Sequence, residues 1–178
     1  MKFFIILVIF TLFFSCTANK TSKGGIFIDG IYKNRELKYK IGKLSDNWKK
    51  LDVNYLNLVF YNTKNNAVIY VNGKCKGSSD APLTILRTHL LIGFKHKKIL
   101  KSEKLKIENR EALHSIILAE LDGVKRKIDY YIFKKNGCLY DFVLISTIDD
   151  FYENQKEFEN MIKKFKIIKG SNIKVFVK

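Results

Sequence analysis

Proline occurs once in this chain of 178 residues, at Pro82, which excludes polyproline linkers and collagen-like repeats. Histidine occurs three times (His89, His96, His114), and neither C-x-x-C nor H-E-x-x-H spacing is present, so the sequence offers no metal-ligand set and no cofactor is expected. Arginine is scarce as well. Of 33 basic residues only Arg35, Arg87, Arg110 and Arg126 are arginines. Arginine reads phosphate and base edges with a planar fork, whereas lysine is a solvated point charge. The formal charge of +16 is therefore a lysine excess and argues against nucleic-acid binding. The chain also lacks an apolar run of membrane-spanning length. Phe3 to Phe14, broken only by Thr11, covers 12 residues where a bilayer needs about 20.

What the N-terminus does have is the layout of a removed export signal: Lys2 as a minimal basic start, the apolar run, then Phe14-Ser15-Cys16. A small residue followed by cysteine at that point resembles the lipobox of bacterial lipoproteins, with Phe13 where leucine is usual. The resemblance implies lipidation of Cys16, diacylglycerol on its thiol and an acylated new N-terminus; the plainer alternative is a secretory signal with an incidental cysteine. It places the chain in a cell envelope, held to the membrane by its lipid anchor. Thr17 stands where an aspartate would resemble an inner-membrane retention signal, which favours the outer membrane, facing the periplasm. Residues 1–15 read as signal, 16–25 as an acylated polar tether, and 26–178 as a single domain.

With Cys16 assigned to lipid, Cys75 and Cys138 remain in a compartment that permits disulfides. They are either joined or two buried thiols, and spacing alone does not decide.

Along the domain, Leu37 to Leu44 alternates apolar and polar residues as a half-buried strand does, and Trp48 follows a Ser-Asp-Asn turn. Tyr55–Tyr61 and Ala67–Cys75 read as a strand pair. Asp80 or Ser79 is placed to cap a helix with Pro82 in its first turn, with Leu83, Leu86, Leu90 and Phe94 on one face and Gly93 as its stop. Lys95 to Lys106 is a basic run with Ile99, Leu100 and Leu105 as apolar spacers, read as a solvated loop or a docking surface. Three strands then follow, Ala112–Leu121, Val124–Lys135 and Cys138–Ser146. They are joined by Asp122-Gly123 and Asn136-Gly137, dipeptides that suit type I′ hairpins. Asp149 and Asp150 offer a cap to a second helix with Phe158, Met161, Ile162 and Phe165 on one face, and Ile173 to Val177 is a short strand or an apolar end.

Strand pair, helix, three-strand meander and helix describe an α+β fold, an α-β-α sandwich with a mainly antiparallel sheet and two covering helices. The order of elements resembles the PsbP-like fold, and more closely uncharacterised PsbP-like envelope lipoproteins of proteobacteria. The residues that carry it are Tyr39-Lys40-Ile41-Gly42 ahead of Trp48, the strand ending at Cys75, and His89-Leu90-Leu91-Ile92-Gly93. Lys135-Asn136-Gly137-Cys138-Leu139-Tyr140-Asp141 and the Phe158/Phe165 pair complete it. The resemblance implies that Cys75 and Cys138 are joined; it transfers no active site.

Among candidate sites, His114-Ser115 lacks the motif that would fix a nucleophile to a base, so His114 reads as a partly exposed or core-satisfied strand residue. Arg87 and His89 lie beside the apolar stripe of the first helix, as a solvated face or a partner contact. Tyr140-Asp141 reads as a cross-strand packing pair. The best candidate surface is the run of Lys95, Lys97, Lys98, Lys101, Lys104 and Lys106, suited to anionic lipid head groups or an acidic partner of a membrane protein complex. No enzyme activity is expected. Two functions follow: a non-catalytic, lipid-anchored accessory or docking subunit of an envelope or transport assembly, or a periplasm-facing binding protein holding a small apolar ligand between sheet and helix. The latter calls for an apolar cavity of about 300 Å³ or more.

Overall fold

The computed structural model describes residues 25–75 and 80–168; the signal, most of the tether, Ser79 and the Ile173–Val177 tail lie outside the described residues. In chain order the elements are β1 (Ile26–Ile28), β2 (Ile31–Lys33), β3 (Lys38–Lys40), β4 (Trp48–Leu51), β5 (Leu58–Asn62), β6 (Val68–Lys74) and α1 (Leu83–Leu90). There follow β7 (Lys95–Ile107), β8 (Arg110–Leu121), β9 (Val124–Lys135), β10 (Cys138–Ser146), α2 (Phe151–Lys163) and β11 (Lys166–Ile167).

The long strands form a seven-stranded sheet in the order β4-β5-β6-β10-β9-β8-β7, antiparallel at every pairing. Its meander is the part the turn chemistry dictates. Asp122, Gly123, Asn136 and Gly137 all have positive φ, between 50° and 79°, as type I′ turns require. β10 then returns to pair with β6, enclosing α1 and the β7–β9 meander in one excursion.

Each face of this sheet carries its own core. On one, Leu86 and Leu91 of the α1 segment pack on Leu113, Ile117, Ile128, Tyr130, Ile132 and Val143, with Leu83, Leu90 and Phe94 at the margin. On the other, Phe158, Met161, Ile162 and Phe165 meet Ile69, Val71, Phe133, Tyr140 and Phe142. Phe165 is the hub of that face, with ring centroids of Tyr39, Phe133, Tyr140 and Phe142 between 4.9 and 5.8 Å away. Buried Asn154 of α2 accepts from Asn62 Nδ2 at 3.0 Å and donates to Ser146 Oγ at 3.0 Å, fixing the helix over β5 and β10. A second, four-stranded sheet, β1-β2-β3-β11, lies on this face, its Tyr32 and Tyr39, with Ile41 just after β3, sharing the core with α2.

Several expectations are corrected. The strand expected over Leu37–Leu44 ends at Lys40: Ile41 makes one last N–H bond in the β2–β3 register, to the Gly30 carbonyl, and Gly42 turns its N–H to the Met161 carbonyl of α2. The strand at Tyr55–Tyr61 begins only at Leu58, Tyr55 itself having φ 75°. Pro82 occupies the α1 N-cap position, and neither helix has a side-chain cap bond. Asp150 instead accepts from Thr147 Oγ1 at 2.7 Å. The largest correction concerns Lys95–Lys106, which is no loop but most of β7, a 13-residue edge strand. Its turn to β8 uses Glu108 and Asn109, both at positive φ, a conformation the Glu-Asn sequence does not announce.

Candidate functional site

β7 gathers the lysines that the sequence singles out. Lys95 to Lys104 are all exposed, and only Leu105 and Ile107 turn into the core. Irregularities between Lys95 and Lys98 and between Ile99 and Lys101 reset the alternation. Lys97 Nζ reaches the Leu91 carbonyl at 3.3 Å, Lys101 pairs with Glu103 at 2.8 Å and Lys104 with Glu111 at 3.2 Å. Among the described residues Lys95, Lys98 and Lys106 make no ion pair. The lysines therefore share one strand but two faces: Lys101 stands with Glu103 on the α2 side, and Lys104 on the α1 side.

Two polar contacts hold the middle of this exposed strand. On the α2 side Glu103 Oε1 lies 2.9 Å from His114 Nδ1, and His114 Nε2 lies 2.7 Å from buried Asp129 Oδ1. Gln155 of α2 donates to the other Asp129 oxygen at 2.8 Å, and the His114 ring stacks on Tyr131 at 4.0 Å. His114 is thus core-satisfied, with both ring nitrogens taken up and its ring covered. Burial opposes charge on the imidazole, but the hydrogen bond and charge of Asp129, then Glu103, outweigh it and raise its pKa. Glu103 is lowered by its bonds to Lys101 and His114. On the α1 side Arg87 Nη1 donates to Ser102 Oγ at 2.9 Å and Ser115 Oγ at 3.1 Å. Arg87 therefore points inward to the sheet, while His89 is exposed. The signal for the His114–Asp129 contact was available: the Asp122-Gly123 hairpin sets His114 opposite Tyr131, and Asp129 is its diagonal neighbour.

Tyr140 and Asp141 do not form a pair. As successive strand residues they face opposite sides, Tyr140 into the α2 core and Asp141 toward α1, where it accepts from Tyr130 O–H at 2.6 Å. Burial lifts the Asp141 carboxyl to about 6, against that hydrogen bond. It also pushes the Tyr130 and Tyr70 phenols upward.

Cys75 and Cys138 are joined by a disulfide, their Cα atoms 3.8 Å apart. The pairing of Lys74 with Leu139 sets them directly opposite across β6 and β10. Cys16 lies outside the described residues. Beside the α1 N-terminus a cleft of about 310 Å³ is lined by Asp80, Lys104, Glu111 and Lys134 together with Leu83 and Leu113. Open to solvent and carrying four ionisable side chains among its apolar ones, it is not the enclosed apolar cavity that a lipophilic ligand calls for. No group of metal-ligating side chains occurs among the described residues, and no helix there is long and apolar enough to cross a membrane.

Two helices on opposite faces of an antiparallel sheet define a PsbP-like α+β fold. The chain is similar to cyanobacterial PsbP (CyanoP) of Synechocystis, at 12% identity and TM-score 0.53 over 86% of this chain and 98% of that one. It is similar to LpqN of Mycobacterium tuberculosis, a protein involved in cell envelope biogenesis, at 9% identity and TM-score 0.56 over 75% and 86% of the two chains. It also resembles a Pseudomonas aeruginosa protein of unknown function, at 13% identity and TM-score 0.51 over 79% and 97%. At these identities the likeness is one of fold. No family model and no curated protein matches the chain.

Proposed function

We propose that the chain is a lipid-anchored, non-catalytic protein of a bacterial cell envelope, an accessory or docking subunit that engages its assembly through the lysine face of β7. The observation that carries the reading is that strand: ten successive exposed residues, five of them lysines, on a domain whose buried ionisable groups are engaged with one another. The lipobox-like Cys16 supplies the anchor, and the envelope role of LpqN supports the location. A chain held on a membrane needs only a modest second contact to stay in register with its partner, because tethering raises the local concentration.

Fractionation of cells that express the full chain tests this. With Cys16→Ser the anchor is gone, and the protein should remain with envelope membranes at low salt and leave at about 0.5 M salt, where charge contacts are screened. Adding Lys95→Glu, Lys98→Glu and Lys106→Glu to that variant should release it at low salt as well. Equal retention of the two variants would contradict docking through β7.

A further inference from the structure

We propose that the outer edge of β7 is a strand-addition site for an acidic, extended polypeptide segment; the proposal rests on the docking role given above and names the partner's chemistry. Among the described residues β7 is the terminal strand of the large sheet, with β8 as its one paired neighbour. In an antiparallel edge strand alternate residues turn N–H and C=O outward, a template that another strand can read. Thirteen residues is a long template, whereas the opposite edge, β4, offers four.

The side chains say which strand fits. β7 carries six lysines and one glutamate, Glu103. A second copy of the chain would set lysine against lysine across the new ladder, so self-pairing is disfavoured. An acidic segment meets the opposite situation at each of the six lysines, with Glu103 the one like charge. The lysines also divide between the two faces of the sheet, Lys101 with Glu103 toward α2 and Lys104 with Glu111 toward α1. A flat membrane surface can meet only one face. A strand added in the plane of the sheet sends alternate side chains to both, and so matches all of them. The strand is held beforehand by Glu103–His114 on one face and Ser102–Arg87 on the other, which lowers the ordering cost of binding.

The test uses the full-length chain and three probes: a peptide of about 12 residues in Glu-Glu-Thr-Thr repeats, which sends glutamates to both faces and is long enough to span β7; the same peptide with proline in place of every threonine; and phosphatidylglycerol vesicles. The first peptide should slow exchange of the outward-facing β7 amides by about tenfold or more. The proline peptide keeps the charge but lacks half of the N–H donors on either of its edges, and should bind at least about tenfold more weakly. Equal binding of the two peptides would overturn strand addition and leave charge-driven docking standing. Protection of β7 by vesicles with none by the acidic peptide would assign the face to lipid and overturn it too. The variant with Lys95→Glu, Lys98→Glu and Lys106→Glu alters exposed side chains without ion pairs, so it should stay folded, its unfolding midpoint lowered only slightly by Glu120 and Glu111 opposite positions 95 and 106, and lose the peptide. Undiminished binding by that variant would remove both strand addition and docking through β7.

Discussion

Asp141 and His114 are both ionisable and both largely hidden, and at each of them protonation favours the fold, as the neutral carboxyl at one and the imidazolium at the other. The Asp141 carboxyl is raised from 3.8 to about 6 by burial, so its protonated form favours the fold. That contribution is complete below pH 3.8 and lost as pH rises through 6. Asp141→Asn keeps an acceptor for Tyr130 and removes the charge. Urea unfolding should find it more stable than the parent at pH 8 by about 1–3 kcal/mol and equal to it near pH 3.5. For His114, raised above 6.5, the imidazolium stabilises the fold fully below pH 6.5, and the effect disappears as pH rises through the folded-state value. Glu103, lowered below 4.5, contributes above pH 4.5 and is lost as pH falls through its folded value. The contact that holds β7 is therefore at full strength between pH 4.5 and 6.5. Proton NMR should place the His114 midpoint above 6.5 and move it downward in Glu103→Gln; a parent midpoint at or below 6.5 would contradict the two-carboxylate arrangement. Phe165, touching four aromatic rings, should cost about 3–5 kcal/mol when changed to alanine. A loss below about 1 kcal/mol would mean that the aromatic cluster does not seal the sheet.

At the scale of elements, local chemistry and long-range packing separate cleanly. A Cβ on Gly42 would lie 2.8 Å from Met161 Cα and 2.9 Å from the Asn160 carbonyl oxygen, so the segment after β3 runs directly against α2. Gly42→Ala should cost about 1–3 kcal/mol in equilibrium unfolding, since backbone rather than a flexible side chain must give way. The β8–β10 meander was legible because Asp-Gly and Asn-Gly fix hairpin turns by themselves and the strands between them keep period-two alternation. The second helix was legible from Phe158, Met161 and Ile162, all of them buried; Phe165, expected on the same helical face, is buried just past the end of α2. β7 was not, because lysines on both faces and two irregularities erase its alternation, and because Glu108-Asn109 is an unlikely-looking I′ pair. Of the small sheet only β3 was legible, within the alternation of Leu37–Leu44; β1, β2 and β11 are two or three residues long, below the length at which any period can be read. Of the candidate surface, the lysines were visible and their organisation along a sheet edge was not, since that edge exists only once β8 is in place.

The whole molecule is two cores separated by one sheet, closed by a disulfide between residues 63 apart in sequence. On the chain-entropy model a loop of that length stabilises the fold by about 4 kcal/mol, a large share of the 5–15 kcal/mol typical of a domain, at about the scale of the whole margin in a small one. Cys75→Ala with Cys138→Ala should lower stability by about that amount in an oxidising buffer, and parent and variant should converge once the parent is reduced. The domain so built offers an exposed basic edge, and lipidation of Cys16, as proposed, would hold that edge near a membrane. The envelope location proposed for the chain rests on that attachment. Intact-mass spectrometry of the detergent-extracted protein tests it most directly: the mature chain should begin at Cys16 and carry diacylglycerol with an N-linked acyl chain, and a chain that keeps residues 1–15 or begins at an unmodified residue would contradict the account.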